Sequence, residues 1–519
     1  MAIKKSELYS SIWQSCDELR DGIEPAQYKN YVLVLLFVKY VSDKYAGQPY
    51  SSITLPPGGG FADMQAAKGK PNIGEELNKV INALVEANPR LDVIEGVNFD
   101  DSGKFGEGKE MQERLTNLIA IFENPALNFA QNRADGDDLL GDAYEYLMRN
   151  FATESGKSKG QFYTPAEVSR VIAKIIGIEH AHSQEATLYD PTCGSGSLLL
   201  KAADEVSTAI KGITIYGQEI DGSTRGLAQM NMILHNIPTA SIYKGNTLAN
   251  PLFKDDKGGL QTFDFAVANP PFSSKAWRTG VSPESDEFDR FVYGVPPEKN
   301  GDYAFLQHLL RSLNSKGKGA IILPHGVLFR GNIEAEIREK IVRQGFIKGI
   351  IGLPANLFFG TGIPACIIVI DKENANARRG IFMIDASKGY IKDGNKNRLR
   401  HQDIHRIVDV FNNQIETPRY ARMVTFEEIR ANDYNLNIPR YIDTSEPEDL
   451  QDIEAHLRGG IPNRDLDALN AYWEVFPSVA EAVFQPNERV GYSDLRVEIG
   501  AIKRTIFDHP EFTAYARQV

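Results

Sequence analysis

Apolar residues near the start of the chain recur at three- and four-residue spacing, in Leu8, Ile12, Cys16 and Leu19 and again in Tyr28, Tyr31, Val32, Leu35 and Leu36. That is the period of helices, and Pro25 suits the first turn of the second one. Further helical patterns cover Ile73 to Ala87, Glu110 to Phe122 and Leu139 to Phe151, with loops at Pro56 to Gly60 and Asp100 to Gly108. Residues 1–150 therefore read as an N-terminal helical domain. The polar, glycine-containing stretch Glu154 to Gly160 reads as a hinge behind it.

Beyond residue 160 the pattern changes to short apolar runs. They are Thr187 to Asp190, Ile213 to Gly217, Phe263 to Ala268, Gly319 to Leu323 and Ile347 to Ile351, followed by Ala365 to Asp371 and Gly380 to Asp385. Helical patterns such as Ser197 to Ile210 and Tyr303 to Leu313 lie between most of them. This alternation predicts an α/β domain with a largely parallel sheet over 151–445. Residues 446–519 read as a C-terminal helical tail for partner association. It ends on a stripe of Leu495, Ile499, Ile502 and Ile506 that could dock on a partner's helices or on its own domain.

Composition narrows the function classes. With 42% hydrophobic and 24% charged residues, the 519-residue chain is globular rather than disordered or fibrous. Three scattered cysteines, Cys16, Cys193 and Cys366, fit neither a zinc spacing nor a disulfide framework, so free thiols, no metal and a reducing, cytoplasmic setting are expected. The apolar run Tyr31 to Val38 is far shorter than the roughly 18 residues of a membrane span, and no signal segment opens the chain. Fifty-seven basic against 69 acidic residues give a net charge of −12, which repels phosphate. A hold on nucleic acid would need local basic patches or a basic partner.

The candidate chemistry lies on turns after strands. In Leu188 to Leu200, a strand ends at Asp190 and passes through Gly194 and Gly196 into a helix, a layout that lets a ligand approach backbone N–H groups. Glu219 closes the next strand, about 20 residues on, where a carboxylate can accept hydrogen bonds from ribose hydroxyls. The bland alternative is a tight turn in an α/β sheet. More specific is Asn269, Pro270, Pro271 and Phe272, directly after an apolar strand. A nucleobase amino group is a poor nucleophile while its lone pair is conjugated with the ring. The Asn269 side-chain oxygen and the Pro270 carbonyl form a rigid pair of acceptors for its two N–H bonds, and Phe272 offers a face for an extruded base. A third segment, Gly160 to Pro165, reads as a helix entry with Thr164 as N-cap and Pro165 in the first turn.

Together these segments resemble the modification (M) subunit of type I restriction-modification systems, adenine-N6-specific DNA methyltransferases. The resemblance also draws on Gln27 to Leu33, Leu140 to Leu147, Asp302 to Phe305, Leu323 to Gly326 and Thr361 to Pro364. It implies a class I S-adenosylmethionine-dependent, Rossmann-like methyltransferase domain. Cofactor contacts would come from Gln161, Phe162, Tyr163, Thr164, Pro165, Asp190, Cys193, Gly194, Ser195, Gly196 and Glu219, and catalysis from Asn269, Pro270, Pro271 and Phe272. Asn246 stands where the family often has an Asp, and its oxygen could accept from the cofactor's adenine amino group. Cys193 reads as a small filler residue, since transfer to nitrogen needs no thiol. The implied partners are double-stranded DNA with the adenine flipped out and a specificity (S) subunit bound by two M subunits. A restriction (R) subunit is a further candidate.

Weaker candidates are the basic segment of Lys388, Lys392, Lys396, Arg398, Arg400 and Arg406, which could follow phosphates, and the loop Ser273 to Asn300, which could close over a base. Phe358 or Phe359 could form a second wall of the base pocket, with core packing as the alternative. His308 and His325 read as structural. Two rival functions remain at this point: a non-catalytic assembly subunit, and a methyltransferase for protein glutamine amides.

Overall fold

The structure, a computed structural model, describes Trp13 and residues 25–48, 51–89, 91, 97–124, 127, 144, 146–151, 163–181, 185–206, 212–444 and 451–518. The expectations resting on Leu8, Ile12, Cys16, Leu19, the Glu154 to Gly160 hinge, Gln161 and Phe162 lie outside these residues. The chain forms two compact units, residues 1–444 and 445–519.

In the first unit the helix Pro25–Tyr45 is buried along nearly its whole middle, from Tyr31 to Val38. A helix apolar on all sides belongs inside a core. Ile73–Ala87 and Lys109–Ile121 pack around it through Leu77, Ile81, Leu84, Leu115 and Leu118. The same cluster takes in Leu227, Met230, Ile233 and Leu234 of the later helix Gly222–Leu234. Tyr144 Oη donates to Leu227 O at 2.9 Å, and Asn30 Nδ2 to Ser223 Oγ at 2.9 Å. Packing is therefore continuous across residue 150.

The α/β part is built on a nine-stranded sheet. Its strands in chain order are β1 (Thr187–Asp190), β2 (Thr214–Glu219), β3 (Ser241–Lys244), β4 (Phe263–Ala268), β5 (Leu313–Pro324), β6 (Ile347–Gly352), β7 (Ala365–Asp371), β8 (Gly380–Asp385) and, after the hairpin strands β9 (Ile391–Asp393) and β10 (Lys396–Arg398), β11 (Ala421–Thr425). The spatial order is β11-β8-β6-β7-β5-β4-β1-β2-β3. β1 to β5 pair in parallel, with Leu188 opposite both Ile215 and Phe265. The expectation of a largely parallel sheet needs correction in the other half, where β7 runs against β5 and β6, and β11 against β8. β7 is buried at every position, and such an apolar run does not encode strand direction. Between β6 and β7 the chain has no crossover helix, only the loop 353–364.

The second unit carries the expected helices and adds strands to them. Short helices such as Pro477–Val483 and Ile502–Phe507 surround a three-stranded antiparallel sheet of β12 (Ile461–Pro462), β13 (Phe484–Pro486) and β14 (Tyr492–Leu495). Leu495 lies in β14 opposite Phe484, while Ile499 sits in a separate turn and is 79% exposed, so the four-residue stripe is not one helix face. Strand pairing has overridden the helical spacing. Val479 and Val483 are the unit's buried centre, with Trp473 against Phe484 and Phe512 against Phe476 and Phe507.

Among the described residues, no helix is long and apolar enough to cross a membrane.

Candidate active site

The strand order reverses between β1 and β4, and in open α/β sheets ligands bind outside the carboxyl ends of the strands at such a point. A cavity of about 330 Å³ lies there. Its floor is the turn after β1 with Thr192 and Gly194. Glu219 and Ile220 come from the end of β2, and Asn246 to Leu248 from the turn after β3. Asn269 to Phe272 follow β4, and Tyr163, Trp277, Phe358 and Phe359 complete the wall.

Gly194 and Gly196 both take left-handed backbone conformations, with φ of +54° and +79°. A Cβ on Gly196 would stand 2.8 Å from Met232 Cε, the movable end of a flexible side chain, so it is the positive φ more than space that favours glycine there. Gly196 caps the helix Ser197–Asp204. Glu219 Oε2 accepts from Gly194 N at 3.1 Å and Oε1 from Asp221 N at 2.9 Å. These bonds tie the ends of β1 and β2 together and leave each oxygen a further lone pair. Burial raises the Glu219 pKa.

Asp190 does not line the cavity. It is buried behind the turn, accepts from Thr192 N at 2.8 Å, and is pushed up to about 8 by burial, with a smaller contribution from the nearby Glu219 charge. Cys193, Ser195 and Gly196 likewise build the turn rather than face the cavity. Cys193 N donates to Gln218 O at 3.1 Å, burial pushes its thiol up, and Ser195 O accepts from Asn231 Nδ2 at 3.0 Å. Asn246 does reach the cavity, but its side-chain oxygen accepts from Leu248 N (3.0 Å) and Ala249 N (3.3 Å). The acceptor expected for an adenine amino group is thus taken by the local turn, and the amide nitrogen is the group left over.

On the other side, Asn269 is half-buried, Pro270 buried and Phe272 half-buried. Asn269 Nδ2 donates to Thr164 Oγ1 at 3.1 Å. The expected N-cap role of Thr164 is corrected: the helix is Ala166–Ile175 and Pro165 stands at its cap with no side-chain cap bond. Pro165 lines an adjoining groove instead. Ser273, just after Phe272, has φ +51°, an uncommon backbone for a non-glycine residue. Its N–H donates to Asp302 Oδ1 at 2.7 Å, and Asp302, fully buried, is paired with Arg330 Nη2 at 2.8 Å.

Phe272 and Phe358 meet edge to face at 5.6 Å, so Phe358 is both core and cavity wall. Lys396 Nζ holds that loop by donating to Phe358 O (2.7 Å) and Thr361 O (3.1 Å). The basic segment is largely committed within the chain: Arg398 pairs with Asp393, Arg400 with Asp403, Arg406 lies over Tyr420, and Lys388 donates to Thr444 O. Trp277 of the 273–300 loop is buried and donates to Pro297 O at 2.8 Å. His308 lies in the core beside Tyr189 and Ser312, and His325 Nε2 lies 2.9 Å from Ala365 O. Ile220, missed in the sequence, is 63% exposed on the cavity wall, and its only signal is its place one residue past Glu219.

A parallel β1–β4 core with an acid ending β2 and Asn-Pro-Pro-Phe after β4 is the arrangement expected from the resemblance to amino-methyltransferases. The profile of the N-6 DNA methylase family matches residues 135–450, and that of the HsdM N-terminal domain matches 8–122. The MpnII type I restriction enzyme methylase subunit of Mycoplasma pneumoniae is 30% identical over 87% of this chain and 92% of its own length. The MjaVII methylase subunit of Methanocaldococcus jannaschii is 30% identical over 87% and 80%. A solved type I restriction-modification methyltransferase subunit from Streptococcus thermophilus superimposes with a TM-score of 0.75 at 31% identity, covering 85% of this chain and all of that one. The chain belongs to the N-6 DNA methylase family, among the methylase subunits of type I restriction enzymes.

Proposed function

We propose that the cavity takes S-adenosylmethionine on its β1–β2 side and an extruded adenine on its Asn269–Phe272 side, and that N6 of the adenine is the methyl acceptor. The observation that carries this reading is that Glu219 and Asn269 to Phe272 line one cavity. The donor set fits the cofactor: Glu219 keeps free lone pairs for a ribose diol, and exposed Ile220 beside it offers apolar surface for a purine. Bound S-adenosylmethionine would supply an activated methyl group on a positive sulfur. Asn269 Oδ1 and the Pro270 carbonyl accept the N6 hydrogens, and these bonds strengthen as positive charge develops on the nitrogen. Phe272, backed by Phe358, carries the flat face of the base.

At net −12 the chain shares its grip on DNA with partners. A specificity subunit, two M per S, is the arrangement we favour, with a restriction subunit as an additional partner and the cytoplasm as its place. The second unit, with Ile453, Leu457, Val490 and Ile499 at least 70% exposed, is where we place association. The test incubates the full chain, with and without the specificity subunit, with labelled methyl donor and either DNA or protein. Label on adenine N6 only when the subunit is present supports the whole reading. Label on protein glutamine, or none, overturns it.

A further inference from the structure

We infer that Asp302 is a positioning residue that holds the peptide after Phe272 and so sets the Phe272 ring at the proposed base site. The inference rests on the proposed role of Phe272. Ser273 follows that residue directly, and its φ of +51° is a conformation that a serine keeps only where its surroundings impose it. What imposes it comes from 29 residues further on. Ser273 N donates to Asp302 Oδ1 at 2.7 Å, and Ser273 Oγ donates to Oδ2 at 3.4 Å. The backbone adds a second tie one residue along the loop, where Gly301 N donates to Ser274 O at 3.0 Å. Because a peptide unit is planar, holding the Ser273 N–H fixes the whole unit between Phe272 and Ser273, about which the Phe272 ring would otherwise turn.

Helix stability does not account for this carboxylate. Asp302 opens the helix Asp302–Ser312, where an acidic side chain ordinarily serves the free N–H groups of its own first turn. Here, among the described residues, its donors are Ser273 and Arg330, and neither belongs to that helix. The side chain is fully buried, so each oxygen needs a donor: Ser273 N serves Oδ1, and Arg330 Nη2 serves Oδ2 at 2.8 Å. Arg330 is partly exposed and keeps a second partner in Glu334 at 2.9 Å. One turn further along the helix, Phe305 lines the cavity, so the element that grips the loop also forms part of the wall. Phe272 is thus held through its backbone by Asp302 and through its ring by Phe358, edge to face at 5.6 Å.

The test uses the full chain with its specificity subunit and compares three variants. Asp302→Leu keeps the shape without an acceptor. Asp302→Asn keeps an oxygen for Ser273 N once Arg330 turns toward Glu334, and Arg330→Gln removes the ion pair but leaves the Asp302 carboxylate. Turnover at saturating cofactor and DNA is expected to fall about tenfold in Asp302→Leu and to stay within about threefold of wild type in the other two, with S-adenosylmethionine affinity by calorimetry unchanged in all three. Independently of activity, hydrogen exchange should find the Ser273 amide protected in the wild type, Asp302→Asn and Arg330→Gln, and open in Asp302→Leu. A Ser273 amide that exchanges freely in the wild type, or stays protected in Asp302→Leu, would overturn the inference. Equal losses of turnover in Arg330→Gln and the Asp302 variants would also overturn it, leaving a structural ion pair. The wild-type exchange and Arg330→Gln decide the matter even where Asp302→Leu does not fold. A wild-type complex without methyl transfer would instead sink the proposed function, while the exchange of Ser273 still decides whether Asp302 holds it.

Discussion

The two walls of the cavity are built differently. On the β1–β2 side, Gly194, Glu219 and Asp221 are tied by backbone-to-carboxylate bonds at the ends of adjacent parallel strands, and Asp190 stiffens the same turn from within. On the β4 side each element is secured from afar. Asn269 is held by Thr164, Ser273 by Asp302, and the Phe358 loop by Lys396, over separations of 105, 29 and 38 residues. The first wall is a property of a strand-turn-helix unit, and its preorganisation comes with the fold. The second depends on contacts that exist only once the whole unit has closed, so single substitutions at a distance should loosen chemistry without loosening cofactor binding.

The sharpest way to break this contrast is Asn269→Ala. Turnover should fall about a hundredfold or more, with S-adenosylmethionine affinity kept within about twofold, because the lost acceptor matters most as N6 becomes positive. Single-turnover kinetics beside calorimetry decides it, and loss of affinity with intact turnover would exchange the roles of the two walls. Glu219→Ala is the converse. It removes charge-assisted hydrogen bonds worth roughly 1.5–3 kcal/mol each, so cofactor affinity should drop about tenfold or more in a folded variant. Unchanged calorimetric affinity would remove Glu219 from the site.

Lys396→Met should leave cofactor affinity unchanged and raise the KM for DNA by roughly threefold, since two hydrogen bonds that hold the Phe358 loop are lost. If the cofactor affinity moves instead, the two walls are coupled through that loop.

A separate prediction, read in stability rather than activity, concerns Asp190. Its folded-state pKa of about 8 lies above its ordinary value of 3.8, so the unfolded chain releases this proton first. Its contribution to stability is complete below pH 3.8 and is lost progressively as pH rises through 8. Asp190→Asn should lack that component. Its melting temperature relative to wild type should therefore increase with pH across that window, and a flat difference would show that Asp190 is charged in the folded state.

Much of the site was legible because its pieces are local. A strand end, two glycines forced into left-handed turns and the rigid Asn269 to Phe272 run declare themselves over a few residues, and neighbouring strands then bring them to one cavity. Ile220 was passed over since an isoleucine after a strand carries no chemical signal, and Phe358, named together with Phe359 as a candidate wall, could not be told from a core residue since nothing near it in sequence says which way it faces. The helix Ile73–Ala87 followed its apolar period to the residue. Leu495 did not follow its own, because hydrogen bonding to residues 461–462 and 484–486 decided the conformation of β14.

By itself, then, the sequence determined the elements and the chemistry: the short-range periods that place helices and strands, and the residue types able to hold a diol or an amino group. Only the tertiary structure decided the direction of β7, the mixed character of the second unit, the burial of Asp190 behind the turn and the bond from Asn269 to Thr164. Periodicity is a local property of the chain. Strand direction, burial and hydrogen-bond partners depend on what arrives from elsewhere in it, and no local pattern encodes that arrival.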